Sequence, residues 1–98
     1  MTLSEATQKV TQIATQKGGK LGSTIKFRFD EGVIFLDDSI SPTRVSNADT
    51  SADCTVNLSL SSFEGLVSGS MNAMTAFMTG KLKIEGDMSV AMKLSGLF

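Results

Sequence analysis

The first segment of the chain has the apolar periodicity of a helix. Its apolar residues recur at spacings of three and four positions, which places them on one side of a helix. They are Leu3, Ala6, Val10, Ile13 and Ala14. Thr2 and Glu5 have the spacing of a capping box, in which a hydroxyl and a carboxylate satisfy early backbone N–H groups. Glycine readily adopts the left-handed conformation, so we predict that this helix stops at Gly18-Gly19.

Strict alternation of polarity follows, from Ser23 to Asp30, with Ile25, Phe27 and Phe29 on one side. Alternation predicts a strand with one buried face. Glu31-Gly32 then predicts a tight turn, after which residues 33–36 return as the partner strand of a hairpin. With those two residues as the loop, Phe29 would lie opposite Ile34 and Phe27 opposite Leu36.

The middle of the chain predicts one weak strand and one strong strand. Residues 37–50 are polar and predict a loop, with a short edge strand near Arg44–Asn47. From Ala52 to Leu60 apolar and polar residues alternate without interruption, which predicts a half-buried strand with Cys54 on its buried face.

Short helices and a last strand fill the remainder. Residues 61–64 (Ser-Ser-Phe-Glu) have capping-box spacing and predict a helix that ends at Gly69. Asn72 is a good N-cap for a helix over residues 73–79, closed by Gly80. Residues 81–85 alternate as a strand, and a final helix is predicted from Met88 to about Gly96.

The predicted element order is α-β-β-β-β-α-α-β-α. Strands linked by hairpins, followed by segregated helices, are typical of an α+β fold in which helices cover one face of an antiparallel sheet. With 98 residues, we expect residues 1–98 to form a single domain.

Composition and charge exclude several classes of function. Nine basic and ten acidic residues leave no cationic surplus for nucleic acid, so we expect none to bind. Histidine, the commonest general base and metal ligand near neutral pH, is absent, and Cys54 on a buried face has no base to activate it. We therefore expect no catalytic residue, no metal site and no cofactor, and hence no enzyme.

The ends of the chain bear on its location. The first residues contain no apolar run, which argues against a signal peptide or a membrane span. The last residues are not a peroxisomal tripeptide of the Ser-Lys-Leu type. We expect a cytoplasmic protein, monomeric as the simplest state.

Methionine is concentrated in one region, with five of the six between Met71 and Met92. Its unbranched, polarisable side chain suits surfaces that accept varied apolar partners. Taken alone, these methionines favour the filling of an ordinary core. The short helices flanked by glycine give slight support to an adaptable apolar pocket.

Residues 77–94, and above all Gly80-Lys81-Leu82-Lys83-Ile84 followed by Gly86-Asp87, resemble the C-terminal signature of the sterol carrier protein type 2 (SCP-2) family. Ala52-Asp53-Cys54-Thr55 is similar to the family's strand before its paired short helices. The predicted element order also agrees with the family.

This resemblance implies a five-stranded, mostly antiparallel sheet, with helices over one face and an apolar tunnel between them. It also implies non-enzymatic binding and transfer of fatty acid, fatty acyl-CoA, phospholipid or sterol, with transient membrane contact. The residues expected to line the tunnel are apolar and lie in the second half of the chain. They are Phe63, Leu66, Val67, Met74, Phe77, Met78, Leu82, Ile84, Met88, Met92, Leu97 and Phe98.

Three alternatives remain open from the sequence. The domain could be a protein-interaction module that uses a C-terminal apolar groove beside a lipid-metabolising enzyme. It could instead be a fold whose core is filled and holds no ligand. Lys81 and Lys83 alternate with apolar residues and favour a solvated strand face, with contact to a lipid head group as the alternative.

Overall fold

The computed structural model describes residues 1–19 and 21–93 and shows four helices and five strands there. The helices are α1 (Leu3–Lys17), α2 (Leu60–Ser68), α3 (Ala73–Met78) and α4 (Met88–Lys93). The strands are β1 (Thr24–Phe29), β2 (Gly32–Asp37), β3 (Arg44–Ser46), β4 (Cys54–Leu58) and β5 (Leu82–Gly86). The predicted order of elements is confirmed.

The five strands form one sheet in the order β3-β2-β1-β4-β5. All neighbours are antiparallel except β1 and β4, which are parallel, so the predicted mostly antiparallel α+β fold is confirmed. A parallel pair needs a crossing connection. Residues 47–53 supply it by passing behind β1, where the Lys26 ammonium contacts the Asp49 carboxylate at 2.8 Å.

The register of the β1–β2 hairpin differs from the prediction by two residues. Phe29 lies opposite Gly32, and Phe27 lies opposite Ile34, so the predicted pairing was wrong. A shift of two positions keeps every side chain on its original face, and these apolar side chains remain buried. Asp30 and Glu31 therefore form the two-residue turn, and Gly32, at φ +151°, is the first residue of β2.

Helix α1 begins as its sequence predicts. The Thr2 hydroxyl accepts a hydrogen bond from the Glu5 N–H at 3.1 Å, and the Glu5 carboxylate accepts one from the Thr2 N–H at 2.9 Å. Ala6, Val10 and Ala14 are buried. The apolar stripe of α1 therefore packs into the core.

Helix α2 begins two residues before the predicted position. Its N-cap is Ser59, whose hydroxyl accepts from the Ser62 N–H at 3.1 Å, so the capping box at residues 61–64 was a wrong prediction. Glu64 instead lies 3.6 Å from the N-terminal ammonium. The helix starts early because β4 ends at Leu58, and the next hydroxyl along the chain is that of Ser59.

Three phenylalanines form the centre of the core. Phe63 of α2 is fully buried and meets Phe27 and Phe29 of β1 edge to face, with ring centroids 5.8 and 5.6 Å apart. This geometry is the favoured one for aromatic pairs. It fixes α2 over the centre of the sheet and leaves the edge at β5 to α3 and α4.

Candidate functional site

An apolar groove of about 240 Å³ lies where α3, β5 and α4 meet. All eight residues that line it are apolar. They are Ala73, Met74, Phe77, Leu82, Ile84, Met88, Ala91 and Met92. A site of this composition attracts apolar ligands through burial of hydrocarbon surface.

Helix α3 forms one wall of the groove. The Asn72 side chain caps it by accepting from the Met74 N–H at 2.8 Å and the Thr75 N–H at 3.4 Å. Ala76 is 1% exposed and is the one buried residue of this helix, so a small side chain faces the sheet. With Ala76 packed closely against the sheet, Met74 and Phe77 of the same helix line the groove.

The turn between β5 and α4 positions the opposite wall. The Asp87 N–H donates to the Asp53 carbonyl oxygen at 2.8 Å, which ties the start of α4 to β4. The Ser89 hydroxyl and N–H both donate to the Asp87 carboxylate and hold the pKa of that carboxyl below its ordinary value. Val90 and Ala91 anchor α4 by burial, while Met88 and Met92 stay beside the groove.

Four of the lining side chains expose large apolar area. The exposed fractions are 60% for Met74, 41% for Phe77, 48% for Met88 and 74% for Met92. Contiguous apolar exposure of this kind marks binding sites on soluble proteins. Because methionine rotates about three side-chain bonds, the walls can adapt to ligands of different shape.

The structure brings together half of the predicted lining residues. Those that line the groove are Met74, Phe77, Leu82, Ile84, Met88 and Met92. Phe63 and Leu66 lie instead in the core, where the three-phenylalanine cluster holds α2, and Val67 packs against that core. Met78 does not line the groove and is 78% exposed. Leu97 and Phe98 lie outside the described residues.

Ala73 and Ala91 line the groove but were not predicted to do so. Helical spacing could have found both. Ala73 is four residues before Phe77, and Ala91 is three residues after Met88, so each shares a face with a residue that was predicted. Both are small and lie on the two walls between larger side chains.

Cys54 lies beneath this region on β4 and is fully buried. Burial, and then the carboxylates of Asp87 and Asp53, raise the pKa of its thiol. A raised pKa disfavours the nucleophilic thiolate. This agrees with a packing role for Cys54.

A second cleft, of about 450 Å³, lies between the C-terminal half of α1 and the loop that joins β2 to β3. Although larger, it has a lining of mixed polarity, and its three threonine hydroxyl groups are already hydrogen-bonded. Thr11 and Thr15 donate to carbonyl oxygens one turn earlier in α1, and Thr43 donates to Asp38. The smaller groove is therefore the stronger candidate for an apolar ligand.

Comparison with known proteins places these features in a family. The model of the SCP-2 sterol transfer family matches residues 2–98. Sterol carrier protein 2 of Gallus gallus is 34% identical over 101 aligned positions, which cover 95% of this chain and 18% of that protein. The chain spans less than a fifth of the length of the curated relatives it matches.

Solved structures agree with the fold. Apo sterol carrier protein 2 from Yarrowia lipolytica has a TM-score of 0.71 and 31% identity, covering 97% of this chain and 77% of that one. Palmitated SCP2L2 from Aedes aegypti has a TM-score of 0.78 at 18% identity, covering 99% and 94%. At 18% identity, the similarity to the Aedes aegypti protein shows a shared fold and no more.

Proposed function

Because the chain belongs to the SCP-2 sterol transfer family, we propose that it binds the apolar tail of a lipid between α3, β5 and α4 and transfers it without chemical change. The observation that carries this proposal is the groove itself, whose lining is entirely apolar and whose largest side chains are exposed. An apolar tail needs no catalytic group, only surface to bury. The relatives named as sterol carrier proteins support a lipid as the ligand.

The energy available to such a site is sufficient for a carrier. Burial of one methylene contributes about 0.8 kcal/mol, so a fatty acyl tail of sixteen carbons offers roughly 13 kcal/mol before costs. Loss of translational and rotational freedom, together with ordering, takes back at least 4 kcal/mol by order of magnitude. At a cost of about 4 kcal/mol, about 9 kcal/mol remains, which corresponds to sub-micromolar binding, and a larger cost weakens the binding.

The groove must enlarge to hold a complete tail. Ligand sites commonly have volumes of about 300–1,000 Å³, and this groove falls just below that range. Met74, Met88 and Met92 are the residues able to make room, because their exposed side chains can rotate without a change of backbone. In this proposal they swing outward on binding and close over the tail to form the tunnel that the family resemblance implies.

The first test is native mass spectrometry of gently purified protein, followed by organic extraction of what it carries. Release of a fatty acid, phospholipid or sterol supports the proposal and identifies the lipid class. A bare protein mass, unchanged after incubation with a fatty acid, contradicts it. Dimerisation of that bare protein at higher concentration would favour an interaction module instead.

A pair of matched variants tests the location of the site. Ala73→Trp adds a large side chain to the α3 wall of the groove, whereas Ala48→Trp adds the same side chain at an exposed position in the loop between β3 and β4. We expect the first to weaken binding of a fluorescent fatty acid at least about tenfold and the second to leave it unchanged. Equal affinities would place the ligand elsewhere.

A further inference from the structure

Three exposed methionines line the apolar groove. They are Met74 on α3 and Met88 and Met92 on α4, and each is at least 48% exposed. Met1 and Met71, by contrast, are half-buried and pack against the core. A small oxidant dissolved in water therefore reaches the side chains of the groove more readily than those two.

The one thiol of the chain competes poorly for such an oxidant. Peroxides react with the thiolate form of cysteine. Cys54 is fully buried, and burial raises the pKa of its thiol, so little thiolate forms near neutral pH. A thioether has no proton to lose, and its reaction with peroxide needs no ionisation. The exposed methionines are therefore the sulfur groups that a peroxide meets first.

A sulfoxide in the groove would depend on water for its hydrogen bonds. Oxidation converts the flexible, apolar side chain of methionine into a polar one. Among the described residues that line the groove, none has a side-chain N–H or O–H group that could donate to the new oxygen. An apolar tail that enters the groove would displace the water bound to this oxygen. Leaving a polar group without a hydrogen bond in an apolar contact is unfavourable.

We propose that Met74, Met88 and Met92 form a reversible modification site, where a hydroperoxide oxidises the thioethers to sulfoxides and thereby lowers the affinity of the groove for a lipid tail. The inference rests on the proposed function, because it takes the groove to be the place where the tail binds. It adds control of that binding by the oxidation state of three side chains.

The reaction balances with the hydroperoxide as oxidant. A lone pair of the sulfur attacks the terminal oxygen of the peroxide, so that the S–O bond forms as the O–O bond breaks. The proton of that oxygen passes to the departing oxygen, which leaves as water from hydrogen peroxide or as an alcohol from an organic hydroperoxide. The sulfur is oxidised by two electrons and the peroxide is reduced by two. Methionine sulfoxide reductases reverse the change.

A bound lipid should protect the site. In the proposed function the three side chains close over the tail, so the tail covers their sulfur atoms. Peroxide then reaches Met74 and Met88 less readily in the loaded protein than in the empty one. The empty carrier is therefore the form that oxidation switches off.

Met78 provides an internal control. It is more exposed than any of the three methionines of the groove, yet it does not line the groove. It follows Met74 by one helical turn, so both residues lie on α3. Oxidation of Met78 should proceed readily and leave lipid affinity unchanged. General damage to exposed methionines would not distinguish these two positions.

The test uses the full chain, freed of lipid and treated with dilute hydrogen peroxide. Peptide mass mapping measures the sulfoxide at each methionine, and titration with a fluorescent fatty acid measures affinity. A triple variant with Met74→Leu, Met88→Leu and Met92→Leu keeps the groove apolar and cannot be oxidised there. Met78→Leu is the matched control, because it removes an exposed thioether outside the groove.

We expect peroxide to lower the affinity of the wild type and of Met78→Leu at least about tenfold. The affinity of the triple variant, whatever its initial value, should change less than about twofold on treatment. Incubation of the oxidised wild type with a methionine sulfoxide reductase should restore binding. Saturating fatty acid, added before the peroxide, should slow the oxidation of Met74 and Met88 but not that of Met78.

The two proposals fail in different ways. If the untreated protein binds no fatty acid, the proposed function falls and the inference with it. If it binds fatty acid, and oxidation of all three groove methionines leaves the affinity unchanged, the groove stands and the inference is wrong. The inference is also wrong if peroxide spares these three while it oxidises Met78. An equal loss of affinity in the triple variant would place the sensitive sulfur at Met71 or Cys54 and overturn it. Unfolding of the oxidised protein, detected by circular dichroism, would overturn it as well.

Discussion

A Cβ atom at Gly86 would lie 2.5 Å from the carbonyl oxygen of Asp53. This carbonyl accepts the hydrogen bond from the Asp87 N–H, and Gly86 itself has φ +98°. The position therefore requires glycine for two reasons, the conformation and the close approach. It is the last residue of β5 and lies two residues before α4, so it connects two elements that line the groove.

Replacement of Gly86 by alanine should destabilise the fold strongly. We expect Gly86→Ala to lower the free energy of unfolding by roughly 2–4 kcal/mol, because strain and steric overlap add. Gly69→Ala is the control, since Gly69 has φ +82° but a Cβ there would have open space around it. That variant should lose only about 1 kcal/mol. Urea denaturation measures the free energy of unfolding of both variants. Equal losses of stability would show that the structure relaxes to remove the steric overlap at position 86.

Substitutions at Phe63 and Phe77 should have different effects on the free energy of unfolding and on the affinity for fatty acid. Phe63→Leu removes two edge-to-face contacts from a fully buried position and should cost about 1–2 kcal/mol in free energy of unfolding. Phe77→Leu changes a half-exposed lining residue and should cost less than about 0.5 kcal/mol. Fatty acid affinity should change for Phe77→Leu alone. If Phe63→Leu lowered the affinity for fatty acid without changing the free energy of unfolding, Phe63 would be a ligand-binding residue after all.

Asp38 should make the fold sensitive to acid. Burial acts to raise the pKa of its carboxyl, but the Thr43 hydroxyl and the N–H groups of Gly19, Leu21 and Gly22 outweigh burial and lower it. A carboxyl whose pKa is lower in the folded state stabilises the fold above its unfolded pKa of about 3.9. That stability is lost as the pH falls through the folded pKa.

The comparison with Asp38→Asn isolates this group from other carboxylates. The variant should lose roughly 1–3 kcal/mol in free energy of unfolding at pH 7, because an amide cannot accept all these hydrogen bonds. The difference between wild type and variant should shrink as the pH falls below about 4. Urea denaturation at several pH values checks this. A difference independent of pH would mean that Asp38 contributes through shape alone.

The ion pair between Lys26 and Asp49 should contribute more to the free energy of unfolding than the pair between Arg28 and Glu85. The Lys26 side chain is 8% exposed, whereas Arg28 is 47% exposed and lies 3.5 Å from its partner. Asp49→Asn leaves a buried ammonium without its counter-charge, so it should be more destabilising than Glu85→Gln. Adding Lys26→Met to Asp49→Asn should recover stability, since it removes the unpaired charge. No recovery would indicate that the loop over residues 47–53 depends on the lysine itself.

Local signals sufficed for most of the elements. The capping pair Thr2 and Glu5, the alternation through β1 and β4, and the Asn72 cap each involve residues a few positions apart, and each is confirmed. The helix start near Ser59 was missed because three serines compete at one strand end, and only the position where β4 stops selects among them.

The candidate site was partly predictable for the same reason. Met74, Met88 and Met92 could be assigned to an apolar face from helical spacing, and the structure brings them to one groove. Phe63 and Met78 could not be placed, because the sequence shows that a side chain is apolar but not which neighbour will cover it. Phe63 lies at the centre of the core, whereas Met78 is exposed.

The sequence alone determined the type and order of the elements, since hydrogen bonding within a helix or a turn and the periodicity of burial are properties of neighbouring residues. Tertiary structure decided the parallel pairing of β1 with β4 and the burial of Lys26. Each depends on a contact between residues distant in the chain, Lys26 with Thr55 in the first case and Lys26 with Asp49 in the second. Such contacts exist only when the whole core closes, so no local pattern encodes them.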